Sequence, residues 1–240
     1  MRWREADGVE WLEAELPGAR VAFSTRGGRV SEPPFDSLNL GIHTEDDPER
    51  VVENRRRLAA ALGLDIDRIA FGRQVHGAEL TVHRTVPARS PGEADGQVVS
   101  EPGLAALVFV ADCLPVALAG PGGAAMLHCG WRGLAAGIVA RGAAAVEATD
   151  AAIGPGIGVC CYEVGDEVLD AFGDLGPEIA DGRMLDLVEV ARRLLRASGV
   201  ERVESAGLCT SCEAGRFFSH RRDAGRSGRQ AGLAWIEGEG

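Results

Sequence analysis

The stretch from Leu104 to Ala148, LAALVFVADCLPVALAGPGGAAMLHCGWRGLAAGIVARGAAAVEA, decides the fold class. Leu104–Val110 is an apolar, β-branched run of the kind found in strands covered on both faces. Gly123–His128 is a second such strand, and the Ala-rich segment Leu134–Ala148 predicts a helix. Buried strands leading directly into a helix belong to layered α/β architecture. Outward from this centre, Val21–Ser24 reads as a short strand before the turn at Arg26-Gly27-Gly28. Pro48–Gly63 predicts a helix with Pro early, Val51, Val52, Leu58 and Leu62 inward, and Gly63 as its stop. Ile69–Val75 and Leu80–His83 read as strands broken at Gly77, and Ala151–Ile153 as a strand entering a Gly-Pro-Gly turn. Asp186–Ser198 predicts an amphipathic helix ending at Gly199, and Glu201–Ala206 the last strand. The elements interleave without a long linker or an internal repeat. The expectation is one α/β domain over residues 1–240 with mixed sheets.

Composition narrows the function. The 240 residues are 45% hydrophobic and 25% charged, the balance of an ordinary globular chain. All 25 basic residues are Arg against 36 acidic ones, for a net charge of −11. The absence of Lys removes Schiff-base and P-loop chemistry, and the acidic balance argues against nucleic acid as a partner. The N-terminal Met1-Arg-Trp-Arg-Glu-Ala-Asp is too charged for a signal peptide's apolar core. The most apolar run, Leu104–Gly120, is interrupted by Asp112 and Pro115 and falls short of the roughly 20 residues that span a bilayer. The expectations are a cytoplasmic protein without a membrane partner, and a monomer. Six Cys in that setting favour thiol or metal use over a disulfide framework.

Three residues sit where strands give way to turns: His76 in Arg-Gln-Val-His-Gly, Cys113 in Ala-Asp-Cys-Leu-Pro, and His128 in Leu-His-Cys-Gly-Trp-Arg-Gly. Strand ends along one sheet edge are where α/β proteins collect site residues. Two imidazoles and a thiolate suit zinc and leave its fourth position open, as in catalytic sites. Each residue taken singly also has a packing reading, a buried thiol or a hydrogen-bonded core imidazole. Cys209-Thr-Ser-Cys212 is a single C-x-x-C without the second pair that a zinc ribbon needs, and Cys160-Cys161 read as packing residues. Arg216, Arg221, Arg222, Arg226 and Arg229 cluster near the C-terminus, either as an anion grip or as a solvated face. Arg132 lies between Trp131 and Gly133 just after His128, and Asn39 stands between leucines as a turn former or an inward donor.

The motifs TRGG (25–28), SLNLG (37–41), ENR (53–55), QVHG (74–77), ADG (94–96), ADCLPV (111–116), HCGWRG (128–133), IGPGIGVCCYEV (153–164) and CTSC–FFSHRRD–GRQA (209–231) run in order over nearly the whole chain. In this the sequence resembles the laccase-domain proteins, which carry the names multicopper polyphenol oxidase and peptidoglycan editing factor. The resemblance implies an α/β/β/α sandwich and zinc on His76, Cys113 and His128. It further implies phosphorolysis of inosine, guanosine, adenosine and methylthioadenosine, with adenosine deamination beside it. Cys129 stands where many members have Ala. Within that reading the candidate catalytic residues are Cys113, Arg132 and Asn39. Arg26 joins Arg132 as a candidate ligand for inorganic phosphate, the co-substrate, and Asp112 is the candidate proton shuttle for deamination.

Two other chemistries fit the same residues. A His₂Cys set with a weak axial Met also suits copper, and Met126 shares a strand face with His128. Five His with no His-x-His pair, however, cannot build the additional copper cluster of a multicopper oxidase. A cysteine hydrolase acting on peptidoglycan precursors would use Cys113 as nucleophile and His128 or His76 as base, and would need no zinc.

Overall fold

The computed structural model describes residues 1–87 and 92–238. The chain runs β1 (Arg2–Ala6), β2 (Val9–Leu16), β3 (Ala19–Ser24), α1 (Pro48–Ala61), β4 (Ile69–Ala70), β5 (Leu80–His83), β6 (Gly96–Val99) and β7 (Ala105–Val110). It continues through β8 (Leu114–Gly120), β9 (Gly123–Cys129), α2 (Trp131–Ala135), α3 (Ile138–Val146), β10 (Asp150–Ile153) and α4 (Asp166–Asp170). The last elements are β11 (Ala180–Asp181), β12 (Met184–Leu185), α5 (Leu187–Ala197), β13 (Arg202–Ser205) and β14 (Gln230–Ile236).

One six-stranded sheet has the order β1-β2-β3-β14-β7-β4 and the other β13-β10-β8-β9-β6-β5; β11 and β12 form a small ribbon. Both large sheets are mixed: β4 pairs parallel to β7, and β10 pairs parallel to β13 but antiparallel to β8. Strand alternation distributes the apolar residues into three cores. Ala124 and Met126 of β9 join Phe23, Val108 and Ala234 between the sheets. Ala125, Leu127 and Cys129 of the same strand face Ile138, Ala143, Val190 and Leu195 of α3 and α5. On the far side of the first sheet, Leu58 and Ala59 of α1 pack on Leu107, Leu233 and Trp235. Helix, sheet, sheet, helix is the order of layers, as the resemblance implies.

The differences from the expected elements have local causes. The predicted helix Leu134–Ala148 is two helices, because Gly137 at φ 85° takes the left-handed conformation that ends α2 and opens α3. Leu114–Gly120 is a central strand despite Pro115, which sits at its second position, where a missing N–H is tolerated. Of Ile69–Val75 only Ile69–Ala70 forms a strand; Arg73 makes an isolated bridge to Glu93, and the remainder leads as a loop to His76. Glu201–Ala206 is not the last strand. Gln230–Ile236 follows it and lies between β3 and β7. Its Gly and Ala residues carry little β propensity, but Gly232 is where Pro115 and Met126 of the other sheet approach most closely. On α1, Val51, Asn54 and Leu58 are buried while Val52, turned about 100° away, is exposed. Among the described residues, no helix is long and apolar enough to cross a membrane.

Candidate functional site

A cavity of about 630 Å³ opens where the ends of the two sheets meet, within the usual range for small-molecule sites. Its apolar wall includes Phe71, Phe109, Ile157 and Tyr162; its polar wall includes Arg55, Arg221, Arg229, His43 and His220. His76, Cys113 and His128 also line it, and their potential ligand atoms lie within 4.8 Å of one another. The rings of His76 and His128 meet edge to face with centroids 4.8 Å apart. The three expected metal ligands therefore converge on one point. They face the cavity on the exposed His76 side, while His128 is buried. Two imidazole nitrogens and one thiolate with an open side fit a metal ion such as zinc. Gly130 keeps this corner clear, since a Cβ there would come within 2.9 Å of the Cys113 sulfur.

Asp95 organises the centre from behind. Its fully buried carboxylate accepts hydrogen bonds from the backbone N–H groups of Val75, His76 and Gly77 at 3.0, 2.9 and 2.8 Å. This holds His76 at φ 61°, a conformation that a side chain rarely adopts. The same carboxylate bonds His128 Nδ1 at 2.7 Å, which leaves Nε2 for a metal. Gln74 fastens the loop to β7: its side chain accepts from Phe109 N–H at 2.8 Å and donates to Phe109 C=O at 2.7 Å. Burial would raise the Asp95 pKa, yet His128 and the loop amides hold it below the usual carboxylate range. Burial also opposes ionisation of Cys113, but the adjacent His128 and His76 outweigh it and bring the thiol down to about 6. Burial likewise works against the charged His128, and the Cys113 thiolate and Asp95 overcome it to raise His128 to about 9. A thiolate and neighbouring positive charge stabilise one another here.

A family model for multi-copper polyphenol oxidoreductase laccase matches residues 20–237. The chain belongs to this laccase family. It is 40% identical to a purine nucleoside phosphorylase of Pseudomonas aeruginosa, over 95% of this chain and 98% of that one. It is 38% identical to the purine nucleoside phosphorylase YlmD of Geobacillus stearothermophilus, over 94% and 93% of the two chains. The crystal structure of that YlmD superposes with a TM-score of 0.89 at 35% identity, covering 98% of each chain.

Of the other expected site residues, Asp112 and the clustered Arg221 and Arg229 line the cavity, while Asn39, Arg132, Arg26 and Met126 lie elsewhere. In this laccase-family chain Asn39 is buried and does not touch the cavity. Its amide donates to Thr44 Oγ1 and Asp46 Oδ2 at 2.8 and 2.9 Å and accepts from Gly41 and Arg229 N–H at 3.0 and 2.9 Å. It positions the loop and strand that carry wall residues. Arg132 is exposed, stacked 4.3 Å from the Trp131 ring, and is not part of the cavity wall. Arg26 is occupied by Asp36, the Ala214 carbonyl and the Phe218 ring. Asp112 does line the cavity, but its two oxygens take hydrogen bonds from Thr210 Oγ1 at 2.6 Å and Arg221 N–H at 2.7 Å. Met126 is buried in the inter-sheet core.

Sequence reasoning missed Arg55 and passed over Asp95. The ADG motif carries Asp95 at the mouth of an apolar strand, where a charged residue needs a reason. Arg55 lies one position from Asn54 on the inward side of α1. Its guanidinium rests 5.0 and 4.5 Å from the Phe71 and Phe109 rings, and burial lowers its pKa to about 10. Arg229 is lowered by burial as well. Neither arginine has an ion-pair partner among the described residues.

Proposed function

We propose that this chain is a zinc-dependent purine nucleoside phosphorylase. The observation that carries the reading is a cavity that gathers two half-buried arginines, neither ion-paired among the described residues, with a His₂Cys centre and aromatic side chains. In a chain of net charge −11, cationic groups gathered in an apolar cavity favour a small anion, and guanidinium forks match phosphate. Inorganic phosphate sits on Arg55 and Arg229. The purine lies against Phe71, Phe109 and Tyr162, and the ribose spans the two. Phosphate oxygen bonds to ribose C1′ as the bond from C1′ to the purine nitrogen breaks, and the base departs with the electron pair. The apolar wall keeps water from competing for C1′. Zinc on His76, Cys113 and His128 would supply a Lewis acid at the sugar-facing end. Inosine, guanosine, adenosine and methylthioadenosine are the substrates, and adenosine deamination is a second activity of the same cavity.

The Cys113 thiol at about 6, with His128 backed by Asp95, favours one second reading, a cysteine hydrolase acting on a muropeptide precursor. One assay series separates the two. Inosine should release hypoxanthine only when phosphate is present, and removal of zinc should stop the release. Arg55→Met and Arg229→Met should each raise the apparent KM for phosphate about tenfold or more, since an Arg–phosphate pair is worth a few kcal/mol. Release without phosphate, or unchanged turnover after zinc removal, would overturn the phosphorylase reading.

A further inference from the structure

The geometry points to a second metal site: Cys160, Cys161, Cys209 and Cys212 bind one zinc ion as a tetrathiolate and fasten two loops of the cavity wall. The first pair follows the Gly154–Gly158 turn after β10, and the second follows β13. The four sulfurs lie within 4.8 Å of one another. Cys212 is 3.5 Å from both Cys160 and Cys161, so it has no single partner for a disulfide. A tetrahedron with Zn–S of about 2.3 Å has edges of about 3.8 Å; two separations of 3.5 Å lie just under that and none exceeds 4.8 Å, so each needs to change by about 1 Å at most. The backbone is arranged for thiolates. Gly158 N–H donates to Cys209 Sγ at 3.2 Å. A Cβ on Gly158 would lie 3.1 Å from the Cys209 Cβ and 3.3 Å from the Cys160 sulfur. The loops are already in register beneath the cluster, where Thr210 N–H donates to the Gly156 carbonyl at 2.9 Å.

Four sulfurs close zinc's coordination, so this ion has no open position and is structural. Its place gives it a task. Tyr162 follows Cys161 directly, and Arg221 donates to the Glu163 carbonyl at 2.9 Å while resting 5.4 Å from the Tyr162 ring. Tyr162 and Arg221 both line the cavity. The tetrathiolate thus fixes a part of the cavity wall that includes Tyr162 and Arg221.

Metal content tests this. Protein prepared under reducing conditions should lose one equivalent of zinc per chain on Cys212→Ser or Cys209→Ser, whatever the other centre holds. The His76→Ala protein should retain zinc bound by four sulfurs near 2.3 Å in X-ray absorption, a measurement that stands even if the cysteine variants fold poorly. Six free thiols should be titrated in the denatured, chelated protein. Unchanged zinc content in Cys212→Ser, four or fewer thiols, iron in place of zinc, or zinc lacking sulfur-only coordination in His76→Ala would each overturn the proposal.

Discussion

The two cysteine-bearing clusters are built differently: one lines the cavity, and the other lies behind its wall, tied through Thr210 and Ile157 to Asp112 beside Cys113. His76, Cys113 and His128 come from a loop, a strand end and a strand, and a buried carboxylate braces two of them. The Cys160, Cys161, Cys209 and Cys212 cluster comes from two loops, Cys160 and Cys212 are exposed, and its support is backbone amide. A mixed N/S set with an open side keeps a position for chemistry, whereas four sulfurs leave none. Under the proposed roles, one small fold separates a reactive centre from a fastening by ligand number and by what stands behind the ligands.

The largest effect expected from breaking this contrast lies at the braced centre. His76→Ala and Cys113→Ala should each lower nucleoside cleavage by orders of magnitude while circular dichroism stays native, because a catalytic metal needs all three protein ligands. His76 and Cys113 are not members of the three apolar cores, which remain intact. Retained turnover in either variant would remove the centre from the reaction. Asp95→Asn comes next. The amide keeps the shape but loses the charge and one acceptor oxygen, and with it two of the four hydrogen bonds, so zinc affinity at this centre should fall about 10- to 100-fold. Competition with a chelator would measure it, and an unchanged affinity would mean that the loop holds His76 without the carboxylate.

The sequence made the converging His76, Cys113 and His128 legible because their signal is chemical: His and Cys at strand ends need no knowledge of packing. The layers were legible for a related reason, since strands buried on both faces must be covered on both. What stayed hidden depends on distant parts of the chain meeting. Asn39 reads as a site residue, but its amide is consumed by Thr44, Asp46, Gly41 and Arg229, the last nearly two hundred positions away. Arg132 comes four positions after His128, yet a helix start turns it outward onto Trp131. Arg55 reads as one of several arginines on a surface helix until α1 is laid on the first sheet and its guanidinium meets Phe71 and Phe109. The single C-x-x-C acquires a partner only when β10 and β13 pair in parallel and carry their following loops side by side.

That pairing also supplies the smallest predicted effect, a control on the separation of the clusters. Asp150 opens β10, at the end away from the Gly154–Gly158 turn, and Arg202 opposite it on β13 grips its carboxylate at 2.5 and 2.6 Å. Arg202 chiefly holds the carboxyl below its ordinary value of 3.8, against burial and with help from Thr149. A depressed carboxylate contributes stability above its unfolded pKa and loses it as pH falls through the folded one. Urea midpoints of the wild type and Asp150→Asn should therefore differ modestly at pH 7, with the wild type higher, and converge as the pH drops below about 4. Arg202 is largely exposed, so solvent screening keeps the gap small and added salt should narrow it. Zinc content and nucleoside cleavage should not change, because neither cluster touches Asp150. A gap that persists unchanged at acid pH would mean that the ion pair is not its source. Loss of zinc in Asp150→Asn would mean that strand pairing at one end of β10 sets the cysteine geometry at the other, and the two ends would then have to be treated as one coupled unit.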